Sequence, residues 1–145
     1  MSAETLESND ALRFFNNLDE RSRYAMEATV KARQEARELI AKDYPEPERS
    51  KALAALGPAS QVHSAAELFA LRCDAVCLRG FADQIGAPSS ESRAGDEVVV
   101  KTTRGGTLHM HAGHDGQYGI VWKTQQLSDE RSRTSRELTQ IRLNA

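Results

Sequence analysis

Residues 97–122, EVVVKTTRGGTLHMHAGHDGQYGIVW, decide the fold. In this stretch apolar side chains recur at every second position, which is the period of a strand and not of a helix. Two glycine-bearing breaks divide it. Arg104-Gly105-Gly106 is a hairpin signal and Gly113-His114-Asp115-Gly116 a second tight turn. Three antiparallel strands are therefore predicted, over 97–103, 107–112 and 117–124. Alternation places Leu108, Met110 and Ala112 on one face, and Thr107, His109 and His111 on the other. Tyr118, Ile120 and Trp122 share a face of the third strand, and the apolar face of the sheet is expected to pack on a helix.

On the N-terminal side of this stretch the period is helical. A long helix is predicted over 10–42, with Asp10 as its N-cap. A kink or break is expected at Asn16-Asn17-Leu18-Asp19, with Asp19 capping the second piece. Pro45 and Pro47 end it, because proline lacks the backbone donor and biases its predecessor toward extended backbone. A short helix over 48–56 stops at Gly57-Pro58. The next helix, from Ser60 or Ser64 to Ile85, is apolar on two faces and is taken as the central core helix. Ser64 and Glu67 form its capping box. Residues 86–95, rich in Gly, Ser and Pro, are expected to be a mobile loop. Downstream of the strands, Ser128 is expected to cap a closing helix, 129–143, with Thr134, Leu138 and Ile141 as its stripe. The predicted fold class is α+β: a long, a short and a central helix packed on a C-terminal three-stranded antiparallel meander, closed by a C-terminal helix. All 145 residues are read as one domain, with residues 1–9 disordered.

Composition narrows the function classes. Lys and Arg number 19 against 21 Asp and Glu, a net charge of −2, which gives no general attraction for nucleic acid. The charge is segregated, however. Residues 1–20 hold one base against five acids, and residues 21–42 hold six bases against three acids. Mean hydropathy is −0.57, and no apolar run approaches the length of a membrane span. Cys73 and Cys77 lie four apart in the predicted core helix. A regular helix is poor geometry for a disulfide, so both are expected to be reduced, buried and small-hydrophobic in role. Reduced thiols and a polar, acidic N-terminus without signal-peptide character point to the cytoplasm.

Three of the four histidines fall within six residues, in His109-Met-His111-Ala-Gly-His114-Asp115. His109 and His111 are two apart on a strand, so both rings leave one face about 6–7 Å apart. Such a pair can hold a divalent metal through neutral imidazole nitrogens, with His114 or Asp115 as a further ligand. Over seven residues the spacing resembles part of the His-x-His-x-Asp-His signature of metallo-β-lactamase-fold hydrolases. Gly113 stands where that family has its second-metal Asp, and the chain is too short for that four-layer fold, so only the local geometry is carried forward. A metal-independent alternative uses the same face. His109 and His111 would act as general base and acid, with Lys101 and Arg104 stabilising phosphate charge, as in a small ribonuclease. Helices followed by an antiparallel sheet are similar in architecture to the barnase and colicin group of ribonucleases. A thiol triad of Cys73 or Cys77 with His109 or His111 and Asp115 is disfavoured, because neither cysteine lies at a helix N-terminus.

The leading expectation is a non-catalytic protein-binding module, of the inhibitor, immunity, antitoxin or adaptor type, of bacterial or phage origin. No phosphate loop or complete catalytic motif is present, and segregated charge suits electrostatic steering toward a protein partner. The second stripe of the long helix offers a surface for a homodimer. The alternative is a small enzyme using the His109, His111 and His114 patch, either a metal-dependent hydrolase or a metal-independent ribonuclease. No cofactor is expected beyond that divalent metal, no membrane partner is expected, and nucleic acid is disfavoured.

Overall fold

The structure, a computed structural model, describes residues 11–84 and 87–144. The expectations for residues 1–9, the Asp10 cap and Ile85 lie outside the described residues. The described part of the first helix, α1, covers residues 11–16. It is followed by α2 (Glu20–Asp43), α3 (Glu48–Leu56), a 3-10 turn (Pro58–Gln61), α4 (Ala65–Arg72) and α5 (Ala75–Gln84). Then come β1 (Pro88–Ala94), β2 (Glu97–Thr102), β3 (Thr107–Ala112), β4 (Tyr118–Ile120) and α6 (Thr124–Asn144). The four strands form an antiparallel meander in the order β1-β2-β3-β4. The class is the expected α+β arrangement, with four strands in place of three.

Local chemistry accounts for most of the boundaries. The first helix breaks at residues 17–19, and Asp19 caps α2 by accepting the Ser22 N–H at 3.1 Å. Ser64 caps α4 through the Glu67 N–H, and the Glu67 carboxylate reaches back to the His63 N–H. Gly57 ends α3 with φ 72° and ψ −179°, a positive-φ backbone conformation open to glycine and strained for residues with a side chain.

Five expectations need correction. The central helix is not continuous. Cys73 is extended, and Asp74 starts a new helix by accepting the Cys77 N–H at 3.0 Å. That break brings the two cysteine Cα atoms to 5.1 Å, and Cys73 and Cys77 are joined by a disulfide and not reduced. Residues 88–94 of the expected loop form β1, because their backbone pairs with β2 even though Ser-rich composition gives little strand signal. The third predicted strand is cut to Tyr118–Ile120, and α6 starts at Thr124, four residues before Ser128. Lys123, at φ 44°, makes the turn between them.

One apolar cluster joins the helices to the sheet. Phe69, fully buried, lies edge-on to Trp122 with ring centroids 4.8 Å apart. Phe15 and Phe81 pack on Phe69 at 6.2 and 6.5 Å, and Phe14 stacks on Phe81 at 5.3 Å. Leu18, Met26, Val30, Leu68, Ile120 and Leu127 complete the centre, with Leu108 and Met110 from the sheet partly buried against it. Helices α2 and α6 run in the same direction, with Ser22 meeting Trp122 at one end and Tyr44 meeting the Ile141 carbonyl at the other.

Between these helices Glu130 is almost fully buried and accepts hydrogen bonds from Arg33 at 2.8 Å and Arg72 at 2.5 Å. Burial pushes its carboxyl up, but the Arg72 and Arg33 guanidiniums outweigh that and hold it below the ordinary value of 4.5. This one side chain therefore ties α2, α4 and α6 together.

The chain just before α2 acts as a further strand for the sheet. The Asp19 N–H donates to the Ile120 carbonyl, and the Ile120 N–H to the Asn17 carbonyl, both at 2.8 Å. Gly119 lies directly under this contact. A Cβ there would sit 2.5 Å from the Asp19 Cα and from the Leu18 carbonyl oxygen.

Two outcomes follow for stability. Gly119→Ala is expected to destabilise the fold by about 3 kcal/mol, because the obstructing atoms are backbone and cannot rotate away. Wild-type stability in a denaturant titration would dispose of the close approach. Glu130→Gln is expected to cost about 2 kcal/mol at neutral pH, on the scale of a charged hydrogen bond lost from a buried site. Since its folded pKa is lowered, this stability is present above 4.5 and lost as pH falls through the folded value. The difference between wild type and variant should shrink on acidification.

Candidate functional site

The strand register fixes the two faces of the sheet. Glu97 pairs with His111, Val99 with His109 and Lys101 with Thr107, so these side chains share one face. Val98 pairs with Met110 and Val100 with Leu108 on the other. The expected alternation of β3 is thus met residue by residue.

On the histidine face each imidazole meets its own carboxylate. His109 Nδ1 lies 3.2 Å from a Glu97 oxygen. His111 Nε2 lies 3.2 Å from Asp96, and its Nδ1 is 3.9 Å from the buried Asp19 carboxylate, too far for a hydrogen bond. That buried Nδ1 has no hydrogen-bond partner. His114 stands apart, 91% exposed at the second turn, with its Nδ1 2.7 Å from Glu20. Asp115 accepts the Gln117 N–H at 3.0 Å and so closes the same turn. Lys101 is exposed on the histidine face, and Arg104 is exposed in the β2–β3 hairpin.

Arg21 organises the acidic side of this face. Its guanidinium lies 3.2 Å from Asp19, 3.5 Å from Asp96 and 3.7 Å from Glu97. Three carboxylates thus converge on an arginine, with His109 and His111 at their outer edge. The sequence signals for this network are Asp19 as an N-cap and Asp96-Glu97 at the β1–β2 turn; nothing in the local pattern says that they meet. Among the described residues no group of three or more His, Cys, Asp or Glu side chains is arranged to hold a metal ion. The proposed ligands His109, His111, His114 and Asp115 are divided among separate carboxylate and turn contacts.

The opposite face carries two adjoining recesses. One concavity of about 490 Å³ runs over Val98, Val100, Met110 and Tyr118, with Glu91 and Arg93 on its rim. A second, of about 410 Å³, continues past Met110 and Tyr118 to Leu108, Ile120, Phe14 and Arg13. Val98, Val100, Leu108 and Met110 are half-buried and Tyr118 is 49% exposed, so helices cover only part of this apolar strip. Sequence reasoning identified the apolar face but not that it remains open.

The Glu20 carboxylate accepts both the His114 backbone N–H and its ring, each at 2.7 Å. The backbone bond first, then the ring, hold Glu20 below its ordinary 4.5. A further hydrogen bond to Glu20 pushes the Tyr24 phenol up. In a titration followed by NMR, Glu20 should titrate below 4.5. In His114→Ala it should move only part of the way back, because the backbone donor survives; full return would contradict this order of causes.

No helix among the described residues is long and apolar enough to cross a membrane. Compared with protein-family models, with curated proteins and with solved structures, the chain matches none.

Proposed function

We propose that this chain is a non-catalytic protein-binding module, of the inhibitor, immunity, antitoxin or adaptor type and of bacterial or phage origin, that docks another protein on the open face of its sheet. The observation that carries this reading is the strip Val98, Val100, Met110 and Tyr118, which is apolar, only partly covered, and rimmed by Glu91, Arg93 and Arg13. An apolar centre with a charged rim is the composition of a protein interface. Tyr118 is suited to anchor such an interface, since it supplies a large rigid ring at low entropic cost.

The rival enzyme reading, on His109, His111 and His114, is less well supported. A metal hydrolase needs imidazoles converging on one point, and a ribonuclease needs a base and an acid free to exchange protons with substrate. Here the three rings are engaged with different carboxylates. The expected cytoplasmic location is weakened by the Cys73–Cys77 disulfide, which favours an oxidising compartment.

A photo-crosslinking residue at position 118, compared with one at 136 on α6, tests the reading in the native cell. The expected result is a discrete protein adduct at 118 that disappears when Met110→Lys is added. Equal labelling at both positions would overturn the proposal. So would a hydrolytic activity of the purified chain that is lost in His109→Ala and His111→Ala.

A further inference from the structure

The outer edge of β1 has the charge and backbone pattern needed to pair with itself. All seven residues of β1 are exposed, and it ends the sheet. The N–H and C=O of a strand residue point to the same side and alternate along the chain. Thr102 donates to the Gly106 carbonyl toward β3, and Thr103 to the Ala87 carbonyl toward β1. Lys101, Val99 and Glu97 therefore direct their backbone groups at β1. Their partners there are Ser90, Ser92 and Ala94. That leaves Glu91 and Arg93 with backbone groups directed outward, at the open edge.

The side chains of Glu91 and Arg93 lie on one face, opposite Val100 and Val98. Among the described residues neither makes an ion pair within the chain. We propose that β1 is the contact edge of a two-fold dimer of this chain, paired antiparallel with Glu91 opposite Arg93 of the second copy. In that register the outward backbone groups of both residues find partners, two opposite charges meet on the same face, and Ser92 lies on the axis. The neighbouring registers allowed by the same backbone pattern set Glu91 against Glu91, or Arg93 against Arg93, across the axis, so charge selects one alignment from three. Pro88 and the irregularity between residues 88 and 90 limit pairing to about five residues. The interface is small and the association correspondingly concentration-dependent.

Glu91 and Arg93 also rim the Tyr118 strip, but this inference does not rest on the docking reading, since it needs only the open backbone edge of β1 and its test uses the purified chain with no other protein present. Sedimentation equilibrium on the full chain, from roughly 10 to 500 µM, tests it, as an interface under about 1,200 Å² calls for that range. The expected result is a monomer–dimer equilibrium. Glu91→Arg or Arg93→Glu alone should weaken it at least about tenfold, because the two-fold turns two attractive pairs into two repulsive ones. The double exchange Glu91→Arg with Arg93→Glu should restore it. Far-UV circular dichroism checks that each variant is folded. Oxidation of Ser92→Cys should link two chains, whereas Ser90→Cys, which faces Ala94 of the second copy, should not. A monomer over the whole range would overturn the proposal. So would a dimer indifferent to single reversal, or a double exchange that fails to restore association.

Discussion

The backbone exchange between the residues before α2 and strand β4 is the constraint on which the rest of the molecule depends. Asn17 and Asp19 give the Ile120 segment the hydrogen bonds that a fifth strand would supply. That exchange brings the start of α2 against the last strand, and it is possible only because residue 119 has no side chain. Asp19 is then 1% exposed, and its carboxylate has to satisfy several neighbours at once: the Ser22 N–H and hydroxyl, and the Arg21 guanidinium. An ionised group this deep is stable only when so partnered. The same junction puts Trp122 under Phe69, because Trp122 follows β4 by two residues and its N–H faces the Ser22 hydroxyl.

From this junction the two sheet faces take different roles. One is drawn toward α2 by charge. Arg21, Asp19, Asp96 and Glu97 form a compact ionic group, with His109 and His111 at its border. Much of that group is exposed, where single ion pairs contribute about 0–1 kcal/mol, so its effect is more on orientation than on stability. The other face is apolar and tapers away from the core. Leu108, Met110 and Ile120 reach the aromatic cluster, whereas Val98, Val100 and Tyr118 extend past it. A sheet attached to the helices by one end leaves such a strip without a cover of its own. The proposed docking role rests on that geometry and not on any single residue type.

The helical half has a similar economy. The buried Glu130 lies at the meeting of three helices and is neutralised by arginines from two of them. The disulfide lies close by, across the break between α4 and α5, and replaces one turn of helix with a covalent link. Both features specify how α4 sits against its neighbours, which in turn fixes Phe69 at the centre of the core.

The sequence alone carried whatever depends on neighbours along the chain. Asp19, Ser64 and Gly57 announce helix ends because a cap acts within one turn. The β2–β3 hairpin and the shared face of His109 and His111 follow from a period of two and a glycine turn. What it did not carry was every feature that needs a partner distant in the chain. Strand β1 has weak intrinsic propensity and forms only because β2 offers it hydrogen bonds. The α4–α5 break at Asp74 competed with a continuous apolar pattern, and locally either outcome is reasonable. The three histidines looked like one site because spacing counts residues, but Asp19, Glu20, Asp96 and Glu97 reach them from other elements and divide them. Local propensity determined the elements and their periodicity; long-range hydrogen bonds, burial and ion pairing decided which groups met, because those energies exist only once the chain has closed on itself.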